Sequence, residues 1–211
     1  MKENQDPIRA IAEMRELMER SSKFLSLSGR AGVFAGVYAL SGALVAYLLL
    51  GFNPDRIVYS AEEQALLLPQ LEHVLLVAAL VLVLAVGTAI VLSYQTAVQR
   101  GERLANPVAR RVVVQMAVPL VSGGLLLLLL LSKGWIGWLA PFSLIFYGLA
   151  LYQTGTYTYN ELKSLGLLQV VLGLAGAWLP AYGLWCWAAG FGVAHILFGL
   201  FLHNRYQRSS K

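Results

Sequence analysis

The 211-residue chain contains a single cysteine, Cys186, three histidines and only 13% charged residues. A lone thiol excludes an internal disulfide, a thiolate cluster and a cysteine-based zinc site, so Cys186 reads as packing material. Soluble domains average about 25% charged residues, and this chain falls far short of that. HExxH, GxSxG, P-loop and Gly-rich dinucleotide motifs are all missing from suitable contexts. No catalytic, cofactor-binding or metal-binding residue is assigned, and no cofactor is expected.

What the chain does have is oil. Hydrophobic residues make up 58% of it, gathered into six runs near 31–52, 71–94, 112–131, 135–153, 165–179 and 183–203. Crossing hydrocarbon takes roughly 20 apolar residues in a helix that satisfies its own backbone polar groups. The fifth run is the shortest. A transmembrane β-barrel would show segments of about ten residues alternating apolar with polar, and 125–131, an unbroken leucine stretch, does not alternate. The leading segment mixes charges over its first two dozen residues, with no cleavage-site pattern after it, so no secretory signal peptide is expected. The fold class that follows is an all-α membrane protein: a six-helix bundle over 29–205, a cytoplasmic helix over 1–28 ahead of it, and a short cytoplasmic tail over 206–211.

Basic residues set the orientation, because Lys and Arg near span ends stay in the cytoplasm. Of the 16, only Arg56 and Lys133 lie on one side of the implied membrane. Opposite them fall Lys2, Arg9, Arg15, Arg20, Lys23 and Arg30, then Arg100, Arg103, Arg110, Arg111, Lys163, Arg205, Arg208 and Lys211. An even number of spans with both termini cytoplasmic accounts for this. The net charge of +5 and pI near 9.4 then need no nucleic acid: the bases hug span ends among glutamates instead of forming one groove. Contact with anionic lipid of the inner leaflet is the expected secondary consequence.

Ahead of the first span, Ile11, Met14, Met18 and Leu25 share one face of a helix whose other face carries Arg9, Glu13, Glu16, Arg20 and Lys23. Asp6 and Pro7 suit its cap and first turn. Glu16 to Arg20 and Glu19 to Lys23 are favourable i,i+4 pairs. The apolar face fits three uses: lying in the headgroup region, covering the inner loops of its own bundle, or pairing with a membrane or cytoplasmic protein. Near balance of acid and base weakens the first.

Next comes a stretch dense in small residues, where Gly32 and Gly36 form a GxxxG step beside Ala35, Ala39 and Ala43. Small residues let helix backbones approach closely in lipid, within one subunit or between copies in a homo-oligomer. Over residues 10–50, the charged helix, the Ser26-Leu27-Ser28-Gly29 stretch and the Gly/Ala-rich first span resemble a group of uncharacterised small bacterial integral membrane proteins with six spans. That resemblance implies a bacterial cytoplasmic membrane and no established activity.

The second span ends Ser93-Tyr94-Gln95-Thr96, the fourth Leu151-Tyr152-Gln153-Thr154 and the sixth Leu202-His203-Asn204-Arg205. This likeness raises a parallel repeat of three helix pairs. Mitochondrial carriers share the pair count but have a Pro, acid and base signature that is missing here.

Polar groups inside spans are few. His195 lies about 12 residues into the sixth run; helical rise puts His203 about 12 Å and His73 about 15 Å away along the bundle axis, which excludes a shared metal. An ionisable group in mid-bilayer must face the bundle interior or water. Gln115, Gln169 and Ser143 are its candidate interior partners. Pro119 and Pro141 are expected to bend their spans, Pro180 to end one; Trp135, Trp138, Trp178, Trp185 and Trp187 read as an interfacial belt.

Three functions are compatible, in decreasing order: a non-enzymatic accessory or regulatory membrane subunit acting through protein contacts; a transporter or channel with a path near His195; and a haem-binding or intramembrane enzyme.

Overall fold

The structure is a computed structural model that describes residues 28–52, 61–99 and 107–207. The expected cytoplasmic helix with Ile11, Met14, Met18 and Leu25 lies outside the described residues, as do Arg56, Arg100 and Arg103.

Among the described residues every element is helical. Helix α1 spans Gly29–Leu44 and widens into a π-helical turn, Val45–Leu49, before Gly51 at φ 61° breaks it. Helix α2 covers Ala61–Gln99 and α3 Pro107–Ser132. A proline opens α3 where no intrahelical N–H is needed. Gly134 closes it, with φ 72°, its own N–H on Leu131 O at 3.0 Å and the Trp135 N–H on Leu130 O at 2.9 Å. That left-handed cap ties off the last carbonyls and costs a glycine no Cβ strain. A 3₁₀ turn, Ile136–Trp138, leads into α4, Leu139–Thr154, and α5 spans Glu161–Trp178. The last rod is composite: a 3₁₀ turn Pro180–Tyr182, α6 over Gly183–Trp187, a π-helical segment Ala188–Ala194, α7 over His195–Leu202, and a π turn His203–Gln207.

Five of these stretches are long and apolar enough to cross a membrane: Gly29–Leu49, Leu71–Gln99, Pro107–Ser132, Ile136–Thr154 and Pro180–Arg205. This is the pattern of a multi-pass membrane protein. The fifth expected run falls outside that set because its helix starts early: α5 takes in Glu161 and Lys163 and carries Gln169 at its centre.

Neighbouring rods run antiparallel. Gly29 meets Gly199 while Gly36 meets Gly192; Tyr38 meets Thr88 while Gly42 meets Val81; Gly148 meets Gly166 while Gly173 meets Pro141. The start of α1, the ends of α2 and α4 and the end of the last rod therefore share one end of the bundle. There Arg205 pairs with Glu161 at 3.3 Å. Lys133 and the 3₁₀ turns mark the other end. In lateral order the rods run α2, α1, the last rod, the tightly packed pair α5 and α4, then α3; α2 and α3, consecutive in sequence, barely touch.

Three expectations need correction. Pro141 does not bend a span: it sits in the first turn of α4, where its missing N–H disturbs no ladder. Helix α2 reaches well past 71–94 at both ends. The helical chain also continues to Gln207, into the segment expected as tail.

Candidate functional site

The buried face of α5 is Leu162, Leu165, Gly166, Gln169, Gly173 and Gly176, a stripe at steps of three and four that turns one side of the helix inward. Glycines bracket the amide in that stripe. A methyl group on Gly166 would lie 2.6 Å from Gly148 O, and one on Gly173 2.8 Å from Pro141 O. With no Cβ in the way, α4 and α5 press backbone to backbone and bring Gln169 to full burial at 0% exposure.

Gln169 reaches the last rod at its π-helical segment. Its Nε2 donates to Gly190 O at 2.8 Å, and His195 Nδ1 lies 2.9 Å from the same carbonyl. A carbonyl only accepts, so Nδ1 carries the imidazole proton and Nε2 is the acceptor. Tyr147 of α4 supplies the donor: its hydroxyl lies 3.0 Å from His195 Nε2. The 3.3 Å approach of Gln169 Nε2 to His195 Nδ1 is then two donors side by side on one oxygen. Gly190 leaves room for these side chains: a Cβ there would press on the ends of Gln169 and Leu144 and displace the amide.

Rings close the cluster. Phe191 stacks on His195 with 16° between planes and 5.8 Å between centroids, and packs 4.9 Å from Tyr147; Trp187 stands 5.1 Å from Phe191. His195 is 6% exposed. One atom is left over: Gln169 Oε1 is buried with no hydrogen-bond partner. Each protein hydrogen bond here satisfies a group that hydrocarbon could not.

Of the interior candidates, then, the structure brings together His195 and Gln169 and leaves out the other two. Gln115 is exposed on α3, a correction to its expected inward placement: the buried side of that helix is set by Val112, Pro119, Gly123 and Leu130. Ser143 spends its hydroxyl on Ala140 O at 2.7 Å, within its own helix. Tyr147 and the carbonyl of Gly190 are the members the residue types did not reveal. A tyrosine in the middle of an apolar span was the available signal for the first; nothing in the residue pattern announces which carbonyl accepts the side-chain donors.

The small-residue step of α1 lies against the last rod. A methyl on Gly36 would meet Gly192 O at 2.6 Å, and one on Gly32 would meet Gly199 Cα at 3.2 Å; Gly29 and Gly199 face each other's carbonyls at 2.6 and 2.5 Å. Ala39 is 2% exposed and Ala35 half-buried. These positions are used inside the subunit.

A second feature lies between α2 and α3, a cavity of about 320 Å³. Leu71 to Val81 of α2, Leu127, Leu128 and Leu131 of α3, and Gly183, Leu184 and Trp187 of the last rod form its sides. Phe52, Leu71, Leu75, Leu131, Ile136 and Leu139 pack together at its Lys133 end. Its walls are almost wholly hydrocarbon. Among the described residues no three His, Cys, Asp or Glu side chains converge as metal ligands do. No family model, curated protein or solved structure matches the chain.

Proposed function

We propose that the chain is a six-span protein of a bacterial cytoplasmic membrane, with both termini cytoplasmic, that acts without catalysis as an accessory or regulatory subunit through protein contacts. One observation carries the reading: apart from Gln169 Oε1, the polar centre is closed on itself. Both nitrogens of His195 are engaged, Gly190 O takes two donors, and Phe191 covers the ring. Such a centre locks helices together and offers no wet path. Arg30, Arg110, Arg111, Lys163 and Arg205 belong to the shared end of the rods, opposite Lys133, which supports the orientation through the rule for basic residues. Support for six spans comes from α5, which runs antiparallel to α4 along the same apolar core. Support for three equivalent helix pairs is narrower: the Thr96 and Thr154 hydroxyls close α2 and α4 alike, on Leu92 O at 2.9 Å and Ala150 O at 3.0 Å.

The contact face is the cytoplasmic helix with Ile11, Met14, Met18 and Leu25, directed at a membrane or cytoplasmic protein or at a second copy. Cross-linking in native membranes tests it. Met14→Lys with Met18→Lys is expected to abolish a specific cross-linked product while the bundle stays folded; persistence of that product would remove the face from consideration. A transport role keeps one observation in its favour, the unpartnered Gln169 Oε1. Liposomes decide it: solute flux that depends on His195 would replace the contact reading. The haem alternative has both nitrogens of its candidate ligand already occupied, and a Soret band in the purified protein would revive it.

A further inference from the structure

The cavity between α2 and α3 is built to one leaflet's depth. Its α2 wall runs from Leu71 to Val81, about 15 Å of helix axis, against roughly 30 Å for the whole hydrocarbon core. The α1 wall, Gly42 to Ala46, and the last-rod wall, Gly183 to Trp187, belong to that same half. The walls offer a polar solute little, since the Ser143 hydroxyl donates to its own helix and the rest of the lining is apolar but for the Trp187 indole. Water would find few partners there either.

At the rim the chemistry changes. Lys133 is exposed two residues beyond the wall residue Leu131, and Trp135 and Trp138 stand exposed beside it, the side chains that mark a headgroup level. On the α2 side of the rim Glu72 and His73 follow the wall residue Leu71 and are exposed; a lysine facing them above a hydrocarbon slot as deep as one leaflet complements a phosphate head carried on an apolar tail.

We propose that this crevice is a binding site for one bilayer phospholipid of anionic headgroup, its acyl chain lying between α2 and α3 and its phosphate paired with Lys133. The site rests on the chain spanning a bilayer and is independent of the contact function above. The lipid enters sideways, between α2 and α3, which meet through Leu71, Leu75 and Leu131 at the Lys133 end. It supplies the hydrocarbon that the chain itself does not, and so ties α2 to α3.

Two measurements on the full-length protein test it. The first reconstitutes a variant retaining only Trp187, with Trp135, Trp138, Trp178 and Trp185 replaced by phenylalanine, in phosphatidylglycerol vesicles with brominated or ordinary acyl chains. Trp187 emission is expected to be lost in the brominated vesicles and largely regained when Ala78→Phe and Ala140→Phe fill the crevice. An unquenched Trp187 overturns the proposal, and so does quenching that ignores the filling, because either means that no chain occupies the slot. The second is native mass spectrometry from an equal mixture of phosphatidylglycerol and phosphatidylcholine. One retained phosphatidylglycerol is expected, with its preference falling about fivefold in Lys133→Ala; no preference, or one unmoved by that substitution, overturns the headgroup assignment. A second copy seated in the crevice would appear as a dimer that the filling substitutions dissociate, and would also overturn it. Carbonate extraction separates the premises: release from the membrane sinks the spanning itself, whereas retention with a bright Trp187 sinks the lipid site alone.

Discussion

The two sides of this bundle are made of the same oil and held together differently. On one side α1, α4, α5 and the last rod meet backbone to backbone, through Gly29 with Gly199, Gly36 with Gly192 and Gly148 with Gly166. On the other, α2 and α3 attach by side chains alone: Gly42 receives Val81 and Gly123 receives Phe146, while a methyl group on Gly87 or Gly124 would meet no atom within 4 Å. Lipid gives helices no hydrophobic push toward each other, so close approach and interhelical hydrogen bonds carry the association. The first side has both; the second has side chains seated on Gly42 and Gly123 and one long hydroxyl contact, Tyr38 with Thr88 at 3.4 Å, and it is where the cavity opens. A glycine in a span is thus informative only through what it faces.

The strongest way to break the contrast is to put volume at a reciprocal glycine. Gly199→Leu, or Gly166→Leu, would drive a side chain into facing backbone and is expected to cost about 3 kcal/mol or more, near the upper end for overpacking. Thermal aggregation in detergent, followed by size-exclusion chromatography, would show it as loss of the monodisperse peak. Next in size is the polar centre. Gln169→Leu leaves Gly190 O with one donor fewer and also removes the unpartnered Oε1, so about 1–2 kcal/mol is expected; a cost near zero would mean that the orphaned oxygen already cancels the bond. Tyr147→Phe strips the donor from His195 Nε2 and should cost about 1 kcal/mol. Steric trapping or unfolding in mixed micelles can resolve both. The smallest effect carries the opposite sign: Gly87→Ala and Gly124→Ala on the loose side are expected to stabilise by about 0.5 kcal/mol each through helix propensity. If they destabilise instead, α2 and α3 are in contact with something, and the distinction between the two sides fails.

The presence of the helices was legible because runs of apolar residues as long as a bilayer leave few other folds open, whereas their ends were not always so: α2 runs over Ala61–Gln99, beyond its apolar run on both sides. Partnership was less so. The Gly32 and Gly36 step pointed to close packing without naming the rod it meets, whereas a seven-residue recurrence, 29 and 36, 166 and 173, 192 and 199, keeps glycines on one face across two turns and traces the same crossings. His195 could be singled out because an imidazole inside a span is rare. Its partner Gln169 was one amide among two, and only the rotation of α3 separates it from the outward Gln115. Tyr147 passed as an ordinary span residue. The Gly190 carbonyl was illegible, since it lies in a π-helical segment whose register no residue type encodes.

Because α1 docks along the last rod, from Gly29 beside His203 to Gly36 beside Gly192, the earliest of these rods to leave the ribosome has its main companion synthesised last. Until that late arrival, its glycine seam faces lipid or a stand-in. Insertion machinery or a chaperone that shelters exposed small-residue helices is therefore the natural escort for nascent chains of this kind, and a ribosome stalled before residue 190 would strand α1 half-assembled in the bilayer.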